Sequence, residues 1–241
     1  MLVHGSVANA TATWRAQQPL AAEFELVAPN RRGFPPGPEV SAVDFADEAD
    51  WLLDRIGAGS HLVGHSYGGV IALLAAARRP AAVRSLTVIE PPAFGVARGN
   101  AAADAIVGSS LALWARRETL DERSFLREFL ALIGAGSGSV PDPLPPDLAQ
   151  GTRLLKRERP PAEAQIPFAT LRAAEIPALV VSSGTTPALE AVCDTIAGEL
   201  GAERVVIPGT RHAVQFSGQP FNELLAAFVR RAEARAAGTR Q

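Results

Sequence analysis

The residues Gly64-His65-Ser66-Tyr67-Gly68 set a serine between two glycines at the spacing G-x-S-x-G. A serine on a very tight strand-to-helix turn needs near-absent side chains two positions before and after it, and its hydroxyl then stands free to attack an acyl carbon. Alone the pattern is weak evidence, because with Gly and Ser each near 7% usage a chain of this size shows it by chance roughly one time in ten. Its context is the stronger signal: the apolar run His61–Gly64 ends at the motif, and the Ala- and Leu-rich stretch Val70–Ala77 follows it. A serine hydroxyl also requires a base. Among the four histidines, His212 is the one that follows a turn, Pro208-Gly209, directly after an apolar run. His61 falls inside a candidate strand, and His65 occupies the position that packs under such a turn, so both read as structural.

These groups converge only if the right elements carry them. Short apolar runs ending in Gly, Pro or small polar residues alternate with stretches of helical period, which argues for an α/β fold with a mostly parallel, doubly wound sheet. About six strands are expected: Leu2–His4, Phe24–Ala28, His61–Gly64, Ser85–Ile89, Ala178–Ser182 and Arg204–Ile207. The intervening helices are Val43–Ile56, Tyr67–Arg79, Pro187–Leu200 and Phe221–Ala236, with turns at Pro29-Asn30, Gly57-Ala58-Gly59 and Pro208-Gly209. From about Phe94 to Arg172 the rhythm breaks. Helical patterns at Ala105–Arg116, Ser124–Ile133 and Leu148–Glu158 occur there without a convincing strand, and residues 134–139, all Gly, Ala or Ser, make a connector ahead of Pro141, Pro143, Pro145 and Pro146. The expected organisation is a core of residues 1–93 and 173–241 with a helical insertion over 94–172.

Composition narrows the class. The 241 residues carry 23 basic and 25 acidic side chains, a net charge of −2, which provides no field for a phosphate backbone and makes nucleic acid a poor partner. A single cysteine, Cys193, excludes an internal disulfide, and its place in the helical pattern Leu189, Val192, Cys193, Ile196 reads as a small buried residue. Scattered histidines and one cysteine support no metal site, and no cofactor is needed. No apolar run reaches the roughly 18 residues of a membrane span. The opening Met1-Leu2-Val3-His4-Gly5 lacks the regions of a signal peptide, so a cytoplasmic location is expected.

Several separately placed features resemble the α/β-hydrolase superfamily, in its chain order. His4-Gly5-Ser6 is similar to the family's His-Gly-X segment, and Asn30-Arg31-Arg32-Gly33-Phe34 to its Arg-Gly loop. Gly64-His65-Ser66-Tyr67-Gly68-Gly69 resembles the nucleophile elbow, and Pro208-Gly209-Thr210-Arg211-His212 the late loop that delivers the histidine. The likeness spans about residues 2–94 and 175–232, leaving the insertion as the family's variable cap. It implies a nucleophile at Ser66, a general base at His212, and an oxyanion hole from the backbone N–H groups of Ser6 and Tyr67, with His4 packed behind that loop.

The acid departs from the common pattern. Many relatives place an Asp after the strand that is Ala178–Ser182 here, where this chain reads Ser183-Gly184-Thr185-Thr186. Glu90, ending the preceding strand, takes the position used by some cap-bearing relatives, the haloalkane dehalogenases among them. Its other reading is a carboxylate that caps a loop or meets substrate without touching His212. Asp194 and Glu190 are fallbacks on a helix face. Dehalogenase or epoxide hydrolase chemistry is disfavoured, because those relatives carry Asp at the elbow.

The expected function is cleavage of an ester, thioester, lactone or carbon–carbon bond in a small, partly apolar substrate. The alternative is a ligand-binding protein of little or no activity on the same fold. Trp114, Phe125 and Phe129 serve as cap core or as pocket lining, and Arg31-Arg32 reads as a solvated loop pair, with a carboxylate clamp as its alternative. The hairpin that precedes the first strand in relatives is missing from this sequence. Either a bare sheet edge results, leaving a homodimer open, or the chain starts upstream.

Overall fold

A computed structural model describes residues 1–57, 59–136 and 140–238. Ala58 of the Gly57-Ala58-Gly59 turn and residues 137–139 of the connector lie outside the described residues. Five parallel strands, β1 (Leu2–Val3), β2 (Ser60–His65), β3 (Val83–Ile89), β4 (Ala178–Ser182) and β5 (Glu203–Val206), lie side by side in chain order. Their alternation sorts the side chains onto two faces. Leu62, Leu86, Val88 and Val180 pack with helices α2 (Phe45–Leu53), α3 (Tyr67–Arg78) and α8 (Pro187–Leu200). Leu2, Val63, Ile89, Leu179 and Val181 point the other way, onto α1 (Ala10–Trp14) and α9 (Gln219–Gly238). This is the doubly wound arrangement, and α3, whose residues Tyr67–Ala77 are all buried, is its central helix.

The expected sixth strand, Phe24–Ala28, is absent from the ladder. It runs beside β1 and is tied to it by the backbone bond from Leu2 N–H to Val27 C=O at 2.8 Å. With β1 only two residues long there is little to pair with, and Val27 is exposed while Phe24 and Leu26 are half-buried. The segment lies along the flank of β1 at that bond. Sequence periodicity also missed α1, the 3-10 stretch Arg15–Ala22, and α7 (Phe168–Ala173).

Register decides where the chemistry sits. His65 pairs with Ile89 and Ile89 with Val181, so β2, β3 and β4 end almost in step and the next residues, Ser66, Glu90 and Ser183, emerge at one level. Over this carboxyl edge lies the segment 94–172, with α4 (Ala101–Ala115), α5 (Glu122–Leu132) and α6 (Pro146–Lys156). Leu113, Phe125, Leu126, Val140 and Leu155 form a small core of their own together with Val7, while Ala103, Ile106 and Leu154 join the main core. No described helix is long and apolar enough to cross a membrane.

α6 touches the sheet-end loop backbone to backbone: a Cβ on Gly151 would lie 1.8 Å from the Val7 carbonyl oxygen. Gly108, midway along α4, has open space around the same position. Gly151→Ala is therefore expected to lower stability in urea by about 1–3 kcal/mol through overpacking. Gly108→Ala should raise it by about 0.5–1 kcal/mol by restricting the unfolded chain.

Candidate active site

Ser66 occupies the turn between β2 and α3 with φ +53° and ψ −127°, a conformation that L side chains rarely adopt. The flanking glycines explain how it survives. A Cβ at Gly64 would sit 2.4 Å from Gly68 O, and one at Gly68 would sit 2.4 Å from Val3 O. Ser66 N–H donates to Ile89 C=O at 2.9 Å and Gly69 N–H to Ser66 C=O at 2.7 Å, tying the turn to β3 and to its own helix.

The Ser66 hydroxyl donates to His212 Nε2 at 2.9 Å, and His212 Nδ1–H donates to Glu90 Oε2 at 2.7 Å. All three residues are buried, Glu90 completely. The second Glu90 oxygen accepts from Ser183 N–H at 2.7 Å and from Ser183 Oγ at 2.6 Å. Burial pushes the Glu90 carboxyl up, but the hydrogen bond and electrostatic pull of the His212 ring together with the two Ser183 bonds outweigh it, so the group stays below the ordinary carboxylate range. Ser183 stands where a late Asp was missed, and sequence reasoning overlooked it as a donor. The stretch Ser182-Ser183-Gly184-Thr185 was the available signal, because a loop that carries no carboxylate still offers hydroxyls. Neither fallback acid reaches His212: Asp194 pairs with Arg204, and Glu190 binds Ser182 Oγ, Gly184 N–H and Arg204.

Two further histidines hold the arrangement. His65 Nε2–H donates to the His212 backbone carbonyl at 3.0 Å. His4 Nδ1–H donates to Gly5 C=O at 2.9 Å while its Nε2 accepts from Arg31 N–H at 2.9 Å. Burial lowers both to about 3, helped for His4 by the neighbouring Arg31 charge and for His65 by the adjacent His212 ring, so both rings are neutral. His61 shares the strand β2 with His65, four residues away, which on a strand is about 13 Å. It bonds instead to Ser85 Oγ and Glu233, both at 2.8 Å. Cys193 is fully buried, and burial pushes its thiol up, consistent with an inert core residue.

Arg31 is the principal correction. Expected in solvent, it is 1% exposed, with Nε donating to Glu48 at 3.3 Å, Nη1 to Gly5 C=O at 3.0 Å and Nη2 to Glu158 at 3.5 Å. Arg32 also bonds Glu48 but keeps about two-fifths of its side chain in water. Two carboxylates from distant parts of the chain compensate the Arg31 charge, which local sequence could not indicate. Glu158 also accepts from Ser6 Oγ at 2.6 Å, and burial pushes its carboxyl up to about 7 against the opposing pull of Arg31 and Ser6.

Ser66 and His212 open onto a cavity walled by Pro92, Phe94, Ile106, Val107, Leu111, Trp114, Phe129, Leu132, Ile133 and Leu189. Its polar lining comes from Ser6, Tyr67, Ser110 and Glu158. Trp114 and Phe129 thus line the cavity, whereas Phe125 is buried beneath them, 5.4 Å from the Trp114 ring. The Tyr67 N–H lies in the first turn of α3, where helical donors lack an intrahelical acceptor. Ser6 follows Gly5, whose Cβ position is 2.8 Å from Ser66 Cβ. No group of three or more His, Cys, Asp or Glu able to hold a metal occurs among the described residues.

The fold has many solved counterparts. The chain is 21% identical to an α/β hydrolase from Sphaerobacter thermophilus (TM-score 0.67), covering 95% of this chain and 91% of that one. A thermophilic esterase from Thermogutta terrifontis is 20% identical with TM-score 0.70, covering 96% and 89%. The 2-hydroxy-6-oxo-6-phenylhexa-2,4-dienoate hydrolase of a Rhodococcus species is 21% identical with TM-score 0.70, covering 95% and 89%. Comparison with curated protein sequences finds no match. The family model described as "Alpha/beta hydrolase family" matches residues 1–227, and the chain belongs to that family.

Proposed function

We propose that this protein is a serine hydrolase that cleaves esters of small, neutral, apolar acyl groups. The observation that carries the reading is the run of hydrogen bonds from Ser66 Oγ through His212 to Glu90 at the floor of an apolar cavity. In the first step Ser66 Oγ bonds to the acyl carbon as its proton passes to His212 Nε2. The carbonyl oxygen, now negative, is met by the Ser6 and Tyr67 N–H groups, and Glu90 stabilises the imidazolium. Collapse expels the leaving oxygen, which takes the proton from His212. Water, activated by the same imidazole, then frees the acid. These steps draw on this chain's residues and water alone.

The lining favours one part of the expected substrate range. It includes no Lys or Arg among the described residues, and Glu158 faces the cavity, which disfavours a carboxylate-bearing substrate such as the dienoate named for the Rhodococcus neighbour. The cavity, about 60 Å³, is small and walled by apolar side chains, which suits a short acyl chain. The segment 94–172 serves in this reading as the cap. Against the alternative of an inactive binding protein stands the Glu90 contact to His212, braced by Ser183, which serves where the late Asp is lacking.

A fluorophosphonate probe should label the wild type at Ser66, and Ser66→Ala should abolish both labelling and hydrolysis of p-nitrophenyl butyrate. A wild type left unlabelled under conditions that label a control hydrolase overturns the reading. Glu90→Gln is expected to lower kcat by about 10³–10⁴, as loss of the orienting acid does elsewhere, and Asp194→Asn to leave it nearly intact. The reverse pattern would reassign the acid.

The neutral histidines also predict a pH dependence of stability. His4 and His65 titrate near 3 when folded and near 6.5 when unfolded, so below pH 6.5 only the unfolded chain takes up these protons and stability falls. Glu158 acts oppositely between about 4.5 and 7, where the folded state holds the proton. The net slope from pH 6.5 to 4.5 is a loss on the order of 1 kcal/mol per pH unit. Urea midpoints over that range should fall, and fall more steeply in Glu158→Gln, which lacks the opposing titration.

A further inference from the structure

The two residues whose backbone N–H groups are assigned to the oxyanion both send their side chains to the same short ribbon. Ser6 Oγ donates to Glu158 Oε2 at 2.6 Å, and Tyr67 OH donates to Arg159 C=O at 3.2 Å. This ribbon is where the 94–172 segment returns along the core, and it is stitched there by Val43 N–H to Arg157 C=O at 3.2 Å and Arg159 N–H to Val43 C=O at 2.8 Å. Arg31 lies beneath, its guanidinium carbon 4.7 Å from the centre of the Tyr67 ring.

Consider the peptide unit joining Gly5 to Ser6. In a trans peptide the C=O and the following N–H point in opposite directions. The carbonyl end is gripped from two sides, by Arg31 Nη1 at 3.0 Å and His4 Nδ1 at 2.9 Å, which turns the Ser6 N–H away from Arg31. A cation on the carbonyl also polarises the amide and strengthens its N–H as a donor. Arg31 is itself fixed by Glu158 and Glu48, and Ser6 is fixed by Glu158 directly.

We propose that Glu158 is a positioning residue for the oxyanion donors, holding Ser6 through its hydroxyl and Arg31 through its charge so that the site is complete only with the 94–172 segment seated. The inference rests on the acyl-transfer reading of Ser66. It assigns a task to a carboxylate that no step of that mechanism uses, and it predicts loss of rate without loss of substrate binding. Displacement of a donor by about 1 Å costs on the order of a hundredfold in rate.

The test compares wild type, Ser6→Ala, Glu158→Ala, Glu158→Gln and the Ser6→Ala/Glu158→Ala double variant. Steady-state hydrolysis of p-nitrophenyl butyrate, the rate of fluorophosphonate labelling and the circular-dichroism melt are measured for each. Ser6→Ala is expected to lower kcat about tenfold and Glu158→Ala about ten- to a hundredfold, with KM within about threefold and labelling slowed in parallel. The double variant should match Glu158→Ala alone, because one bond is removed twice. Glu158→Gln, which keeps an acceptor for the Ser6 hydroxyl but loses the charge that holds Arg31, should fall between wild type and Glu158→Ala in kcat. If Glu158→Ala does not fold, Ser6→Ala and Glu158→Gln decide the matter by the same criteria. A labelled wild type whose Ser6 and Glu158 variants keep kcat, or whose effects multiply, overturns this inference alone. An unlabelled wild type overturns the acyl-transfer reading and this inference with it.

Discussion

The crowding around Ser66 is the constraint on which the rest of the site depends. With φ at +53°, the turn brings the backbone of β2, α3 and β1 so close that side chains at positions 64 and 68 would overlap main-chain oxygens. The arrangement needs β2 to end where it does and α3 to start at once. In exchange, the serine hydroxyl stands above the sheet edge, and the first N–H of α3 lies beside it. The tie from Ser66 N–H to Ile89 C=O transmits the position of this turn to β3, and hence to Glu90, the very next residue.

Strain is concentrated accordingly. Of the five non-glycine residues with positive φ among the described residues, Ser66, Glu90, Arg211 and Val7 all lie at the carboxyl edge of the sheet, at or next to a proposed site residue. Conformations of this kind cost of order 1–3 kcal/mol each and persist only where the surroundings over-determine them. Here the surroundings are a parallel sheet with both faces covered and two neutral histidines, one gripping the His212 carbonyl and the other the Gly5 carbonyl. A polar relay set into such a frame has little freedom left to lose when a substrate arrives.

Much of this was legible in the sequence, and the reasons differ by residue. Ser66 announced itself through glycine spacing and its strand-turn-helix context. His212 and Glu90 followed from their places at strand ends, which a parallel sheet brings to one edge. Arg31 was misread because its burial depends on Glu48 and Glu158, and the latter is 127 residues away in sequence. Ser183 escaped because attention fell on the carboxylate its loop lacks. The Phe24–Ala28 run had strand composition, but composition does not show that its neighbour β1 is only two residues long.

The contact between α6 and Val7 sets apart two helices of the 94–172 segment, α6 and α4, in how freely each can change. Because the helix backbone at Gly151 rests directly on the residue after Ser6, a change that shifts α6 is felt at once beside the proposed nucleophile. By contrast, α4 presents Ile106, Val107 and Leu111 to the cavity, and Leu111 is 58% exposed, so its bulk can be recut without disturbing a packed neighbour. In the proposed reading, the shape of the apolar cavity can drift along α4 while the loop of Ser6 and Val7 stays pinned by α6.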